Sequence, residues 1–325
     1  MKIQDINEKW LLIAPGRRNG HLSVRIDSKS FPDLFIGLNN ENNRSLILKL
    51  PKDYSPDFQS SVKQNLSLNL YSETGWVVLT LLDEQYFDLF DDLIFSIYNK
   101  IQSMSSAQLY VTEFLKTFYK WSEFFQESRV QSLSDEIIRG LFGELIVLSE
   151  LLLKSASGEI NDVLDSWKGP YDTNHDFVNE SISAEVKTRL NSVSNIKISS
   201  EYQLQPDTGK ALELLVVTLI SDTVNGTSLL DLVHSIRDYV VSKLGDYTII
   251  LRGLSQKGLS IITLAEYEHL KFIPVMLVSY DCCHPDFPRL VRSNIAPAVS
   301  SVSYKLNVEE IKPFTLSEKL FNGNQ

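Results

Sequence analysis

"HDFVNESISAEVKTRL", residues His175 to Leu190, sets an Asp, a Glu and a Lys into a strand-like segment. Asp176 is followed by Glu185 and then, two residues later, by Lys187, all set among apolar residues at alternating positions. Alternation with a period of two is the mark of a strand. In a strand over residues 183–189, Glu185 and Lys187 point to one face and Val186 to the other. A turn near "NESIS" makes the stretch a hairpin, and its antiparallel partner brings Asp176 within reach of Glu185 or Lys187. Charges in such a place are costly to bury unless they are paired or hold a metal. Two neighbouring carboxylates repel and call for a cation between them. Oxygen donors with no Cys and little His favour a hard ion, Mg2+, with Mn2+ as a substitute. An ion of this kind acidifies a bound water and offsets charge on a scissile phosphate. A lysine fixed at the same place orients that water and stabilises developing negative charge.

Upstream, Ser134 to about Lys154 has helical periodicity. Ile137, Leu141, Leu145, Leu148 and Leu152 form one apolar stripe, and Ser134 is a suitable N-cap. Gly140 and Gly143 on that helix would let its backbone pack closely on a sheet. "DVLDSW", "HDFVNE" and "ISAEVKT" are expected as three short strands. "LELLVVTLI" is an unbroken apolar run suited to a strand covered on both faces. "SLLDLVHSIRDYVVSKL" is an amphipathic helix with Leu229, Leu232, Ile236 and Val240 inward. The tail holds further expected strands in "YTIILRG", "FIPVMLVSY" and "VSSVSYKLNV". Before all this, residues 20–82 are β-rich, with turn signals at "NNENN" and "SETG". Residues 85–127 are helical, through Phe90, Ile94, Ile97 and Ile101 and, after "SMSSAQ", through Phe114, Phe118, Trp121 and Phe125. The hinge "QESRVQSLSD" then suggests two domains: 1–130, β-rich with a helical segment and used for recognition or partner docking, and 131–325, carrying the site.

Composition narrows the class. At 43% hydrophobic and 22% charged, the 325 residues suit a globular protein with a sizeable core. "MKIQDINEKW" lacks the apolar run of a signal peptide, and no apolar stretch reaches membrane-spanning length. Two cysteines give no disulfide framework, so a cytoplasmic location with no membrane association is expected. A net charge of −10 argues against a general nucleic-acid coat protein. It leaves room for a nuclease, because Lys187, Arg189 and Lys197 cluster around the motif.

The order of "GE" on a helix, "D", then "EVK" resembles the PD-(D/E)xK nuclease superfamily, to which many restriction endonucleases belong. The matching positions are Glu144, Asp176, Glu185 and Lys187. "WKGP", "HDF", "EVKT", Gln203–Leu204 and "FPRL" resemble more specifically a bacterial family of PD-(D/E)xK motif proteins tied to phage-defence gene clusters. The similarity runs over most of the chain. The resemblance implies an α/β fold: a restriction-endonuclease-like αβββαβ core, joined to a β-rich N-terminal region with helices and an appended C-terminal β layer. It implies Mg2+-dependent endonucleolytic cleavage of DNA in defence against foreign DNA. Glu144, Asp176 and Glu185 would hold the metal with the Val186 carbonyl, and Lys187 would act on the attacking water. His175 stands where the superfamily usually has Pro; as a neighbour of Asp176 it would make supporting or solvent contacts. Gln203, expected on a helix after the Glu-x-Lys strand, and Arg189 are candidates to contact water or DNA near the metal.

The acidic pI suggests reliance on a defence-system partner protein for DNA affinity, since phosphate binding needs basic residues. Cutting both strands often calls for two active sites, which a homodimer would supply. The alternatives are a catalytically inactive module of this fold that binds DNA or a protein, and a metal-dependent hydrolase of another substrate. Other features are weaker. "CCH" at 282–284 lacks a second ligand pair for zinc and is expected to be a strand-end pair of buried thiols. "APGRRNGH" is expected to be a solvated turn, and Arg289 and Arg292 a solvated face.

Overall fold

The structure is a computed structural model that describes residues 3–13, 22–126, 132–171 and 173–321. The chain divides into two compact units, Met1–Ser128 and Arg129–Gln325. The arginine pair of "APGRRNGH" and half of the "QESRVQSLSD" hinge, residues 127–131, lie outside the described residues.

The first unit opens with helix α1 (Ile3–Leu11). Six strands follow: β1 (Leu22–Arg25), β2 (Asp33–Leu38), β3 (Arg44–Lys49), β4 (Ser61–Lys63), β5 (Leu66–Tyr71) and β6 (Trp76–Leu81). They form one antiparallel sheet in the order β1-β2-β3-β6-β5-β4. Two helices complete the unit, α2 (Phe87–Ile101) and α3 (Ala107–Ser122). Their periodic residues Phe90, Ile94, Ile97, Ile101, Phe114, Phe118 and Trp121 are all buried. Trp10 and Arg44 both hydrogen-bond to the buried Asp91, at 2.8 and 2.9 Å. This ties α1 and β3 to α2.

The second unit begins with α4 (Asp135–Lys154) and α5 (Ile160–Ser166), followed by strands β7 (Phe177–Val178), β8 (Ile182–Leu190), β9 (Asn195–Ile198), β10 (Ala211–Ser221) and β11 (Thr227–Ser228). Helices α6 (Leu229–Ser242), α7 (Thr248–Gln256) and α8 (Ile261–Leu264) come next, then β12 (Lys271–Asp281), β13 (Tyr304–Asn307) and β14 (Thr315–Leu320). The main sheet runs β11-β12-β10-β8-β7, with β14 also on β12. β7 and β8 are antiparallel; β8 and β10 are parallel, with Glu185 beside Leu214 and Lys187 beside Val216.

Helix α4 lies on one face of this sheet. Gly143 is needed there, since a Cβ on it would collide with the Thr188 hydroxyl and come within 3.0 Å of Thr188 Cβ. The other face is covered by the two-stranded ribbon β9–β13. Ile196, Ile198 and Leu306 pack there with Leu212, Leu214, Val216, Val278 and Tyr280. Val217 and Leu219, on the alternate side of β10, are also buried, as a doubly covered strand requires.

Several expectations need correction. "DVLDSW" is helical: Ile160 and Leu164 are buried one turn apart in α5, and only Trp167 makes a bridge, to Phe177. "YTIILRG" is α7, because Ile250 and Leu254 bury on one helical face; a short apolar run does not distinguish helix from strand. The strand in "HDFVNE" is only two residues long. Ile137 is 47% exposed in the first turn of α4, although Leu141, Leu145, Leu148 and Leu152 are buried. Gly140 faces open space and has no packing role. Cys282 is buried but Cys283 is exposed, so the two are not a buried pair. Among the described residues, no helix is long and apolar enough to cross a membrane.

Candidate active site

Ser134 accepts from the Ile137 N–H at 3.4 Å and starts α4, the helix that carries Glu144. Glu144 leaves that helix toward the segment between α5 and β7. Its Oε2 accepts from the Trp167 indole N–H at 2.8 Å. Trp167 is itself wedged against α7, where a Cβ on Gly253 would come within 2.6 Å of the ring. Two residues on, a Cβ on Gly169 would strike Glu144 Oε2 and lie 2.8 Å from Asp176 Oδ1. The two carboxylates therefore converge on one point that only a glycine leaves open.

Asp176 is held at both ends. Its carbonyl accepts from the N–H groups of Lys168 and Gly169, at 2.7 and 3.0 Å. Its Oδ2 accepts from the Val186 N–H at 2.7 Å. The pair Phe177–Ala184, continued by one residue, sets Asp176 opposite Glu185. Glu185 is buried, and its Oε1 accepts from Lys187 Nζ at 2.6 Å. Lys187 also donates to Gln203 Oε1 at 3.2 Å. Gln203 sits in a turn, not a helix; its Oε1 accepts from the Ser199 N–H at 2.7 Å as well.

The electrostatics follow from burial. Burial and then Asp176 push Glu144 up to about 8, against the pull of Trp167, Lys257 and Lys187. Glu185 is also pushed up to about 8, by burial and then Asp176, although Lys187 touches it. Asp176 is raised by burial, with the Val186 N–H and Lys187 opposing. Three carboxylates raised together, two of them turned to one open point, suit a hard cation: it would replace the mutual repulsion and the lost hydration. As they stand they are not a finished cage. No group of three or more His, Cys, Asp or Glu among the described residues is gathered so as to hold a metal ion. Glu185 is committed to Lys187 instead, and Glu144 to Trp167.

His175 is almost wholly buried. Its Nδ1 lies 3.3 Å from Asp207 Oδ2, to which the Ser183 hydroxyl also donates at 2.8 Å. It braces the entry to β7 against the loop before β10 and does not face solvent. Arg189 donates to the Val193 carbonyl at 2.5 Å, closing the turn after β8. Arg292 is not on a free solvated face: it reaches Glu201, Val299 and Ala296 and pins the tail's loop.

Trp167, Gly169, Asp207 and Lys257 were not singled out from the sequence. "WKGP" carried the signal for the first two, as a quoted similarity without a role. The model of a family described as "Putative PD-(D/E)XK family member, (DUF4420)" matches residues 6–309. No curated protein and no solved structure matches the chain.

Proposed function

The chain belongs to this PD-(D/E)XK family, a nuclease family whose members generally use divalent metals, and on that premise we propose that it is a metal-dependent endodeoxyribonuclease with a restriction-endonuclease-like αβββαβ core. The observation that carries the proposal is the convergence of Glu144 and Asp176 on the gap at Gly169, next to the Glu185–Lys187 pair. Asp176, Glu185 and Glu144, with the Val186 carbonyl, would hold the ion, and Mg2+ is the ion their oxygens favour. When bound, it supplies Lewis acidity to a water and to the scissile phosphate.

The protein's own groups do the rest. The Val186 N–H fixes Asp176, and Trp167 fixes Glu144. Lys187 is held between Glu185 and Gln203 beside these carboxylates, and its ammonium would orient the attacking water and stabilise charge on the phosphate. Gln203 limits where that ammonium can go. Action against foreign DNA fits this chemistry.

The catalytically inactive module is retained as a second reading, because the Glu185–Lys187 bond and the absence of a gathered metal group among the described residues favour it. Incubating the purified protein with supercoiled plasmid in Mg2+, Mn2+ or EDTA separates the two. Nicked or linear DNA with metal and none in EDTA supports the nuclease; intact DNA throughout, with binding, supports the module.

A further inference from the structure

The outward face of the β9–β13 ribbon is unusual for so acidic a chain. In this register Lys197 stands directly opposite Lys305, and Asn195 opposite Asn307. All four side chains are exposed, while Ile196, Ile198 and Leu306 point into the core. Like charges directly opposite on a strand pair are destabilising. Neither lysine side chain makes an ion pair or hydrogen bond among the described residues. With 41 Asp and Glu against 31 Lys and Arg, a carboxylate partner could easily have been placed there. Exposed serines, Ser199 and Ser303, extend the same face at one end. Past the other end, Glu309 is engaged with Lys312.

The ribbon also leads into the site. Ser199, the residue after β9, donates its N–H to the Gln203 oxygen that accepts from Lys187. Lys197 is two residues from Ser199, about 7 Å along the strand. The strand that carries Lys197 therefore runs directly into the turn that holds the amine proposed to act on the phosphate.

We propose that this face, Lys197 and Lys305 flanked by Asn195 and Asn307, is a track for the phosphodiester backbone of the DNA running out of the site. This rests on the nuclease reading above. Lysines are compact charges without the planar fork suited to base edges, and the face has no aromatic ring on which a base could stack. Its contact is thus with phosphates and independent of sequence. The same face offers an explanation of how a chain of net charge −10 holds DNA: cations are concentrated where the strand passes.

The test uses the full chain in a Lys187→Ala background, so that DNA stays intact in Mg2+. Binding of two unrelated duplexes is measured against NaCl concentration, with and without Lys197→Gln plus Lys305→Gln. A matched control carries Lys52→Gln plus Lys63→Gln, exposed lysines of the first unit. The expected result is a log–log salt slope shallower by about 2 in the ribbon variant only. The wild-type ribbon's advantage should then shrink about tenfold between 50 and 200 mM salt, equally for both duplexes. With Lys187 restored, cleavage should show a raised KM and an unchanged kcat. An unchanged slope with DNA still bound and cut would overturn the track and leave the nuclease standing. Binding of polyglutamate as tight as DNA, lost in the same variant, would make the face an acidic-peptide site and also overturn it. A protein that neither binds nor cuts DNA fails the nuclease reading itself, and the track with it.

Discussion

The Asp176 side chain accepts a hydrogen bond from the backbone N–H of Val186, at 2.7 Å, where the next rung of the β7–β8 ladder would fall. A carboxylate thus takes the place of a backbone acceptor at the end of a strand pair. It sits opposite Glu185 and next to the carbonyl proposed as a ligand. Asp176→Asn should keep much of this bond through its amide oxygen, so the fold should survive. Cation affinity should fall, and excess Mg2+ or Mn2+ should partly restore cleavage. Calorimetric titration with Mg2+, alongside cleavage rates at rising metal, checks this; an unchanged affinity would remove Asp176 from the ligand set.

Gly169→Ala should be nearly as damaging as loss of a ligand, although it touches no charge. The added methyl would occupy the point on which Glu144 and Asp176 converge. Folding should persist by circular dichroism, while cation affinity and cleavage fall at least tenfold. Wild-type cleavage by this variant would mean that the gap is not where the ion is held.

Gly143→Ala probes packing apart from chemistry. Its methyl would overlap the Thr188 side chain between α4 and β8. Overpacking of this kind costs about 1–3 kcal/mol. Urea unfolding should show that loss, and Gly143→Ala combined with Thr188→Ser should not recover it, since the hydroxyl is the group struck; Thr188→Ala should. Gly140→Ala, facing open space, should be neutral or slightly stabilising.

Glu144 and Glu185 set a pH dependence. Both are pushed up to about 8 in the folded protein from an ordinary value of 4.5. Between these values the folded chain holds protons that the unfolded chain has released. Their contribution to stability is therefore full below about 4.5 and is lost as pH rises toward 8. A cation reverses the preference, so Mg2+ binding should release protons at pH 7 and tighten up to about pH 8. Urea unfolding at pH 5.5 and 8.5 should show metal-free stability falling and stabilisation by Mg2+ growing. Glu144→Gln should flatten both trends; a metal affinity independent of pH would contradict the assignment.

What could be read from the sequence was what local periodicity encodes. The two-residue alternation of β8 put Glu185 and Lys187 on one face, and the 3.6-residue period of α4 marked the helix that carries Glu144. What could not be read depends on approaches between distant segments. Gly169 matters only because Glu144 and Asp176 both reach it, and a glycine in "WKGP" carries no such information. Lys197 and Lys305 become neighbours only when β9 pairs with β13, more than a hundred residues on. α5 and α7 were misread because their short apolar runs satisfy both periods and the packing partner decides between them.

Lys187 is the residue on which the proposed activity turns. Lys187→Ala removes no ligand, so the variant should fold, bind Mg2+ at least as well as wild type, and bind DNA. The direct measurement is single-turnover cleavage of an end-labelled duplex by both proteins at saturating Mg2+, with Mg2+ affinity taken on the same samples. The expected result is a cleavage rate lowered about 10²–10³-fold with metal affinity retained, and no rescue by added Mg2+ or Mn2+. Equal rates in the two proteins, or no cleavage by wild type with any divalent metal, would contradict it.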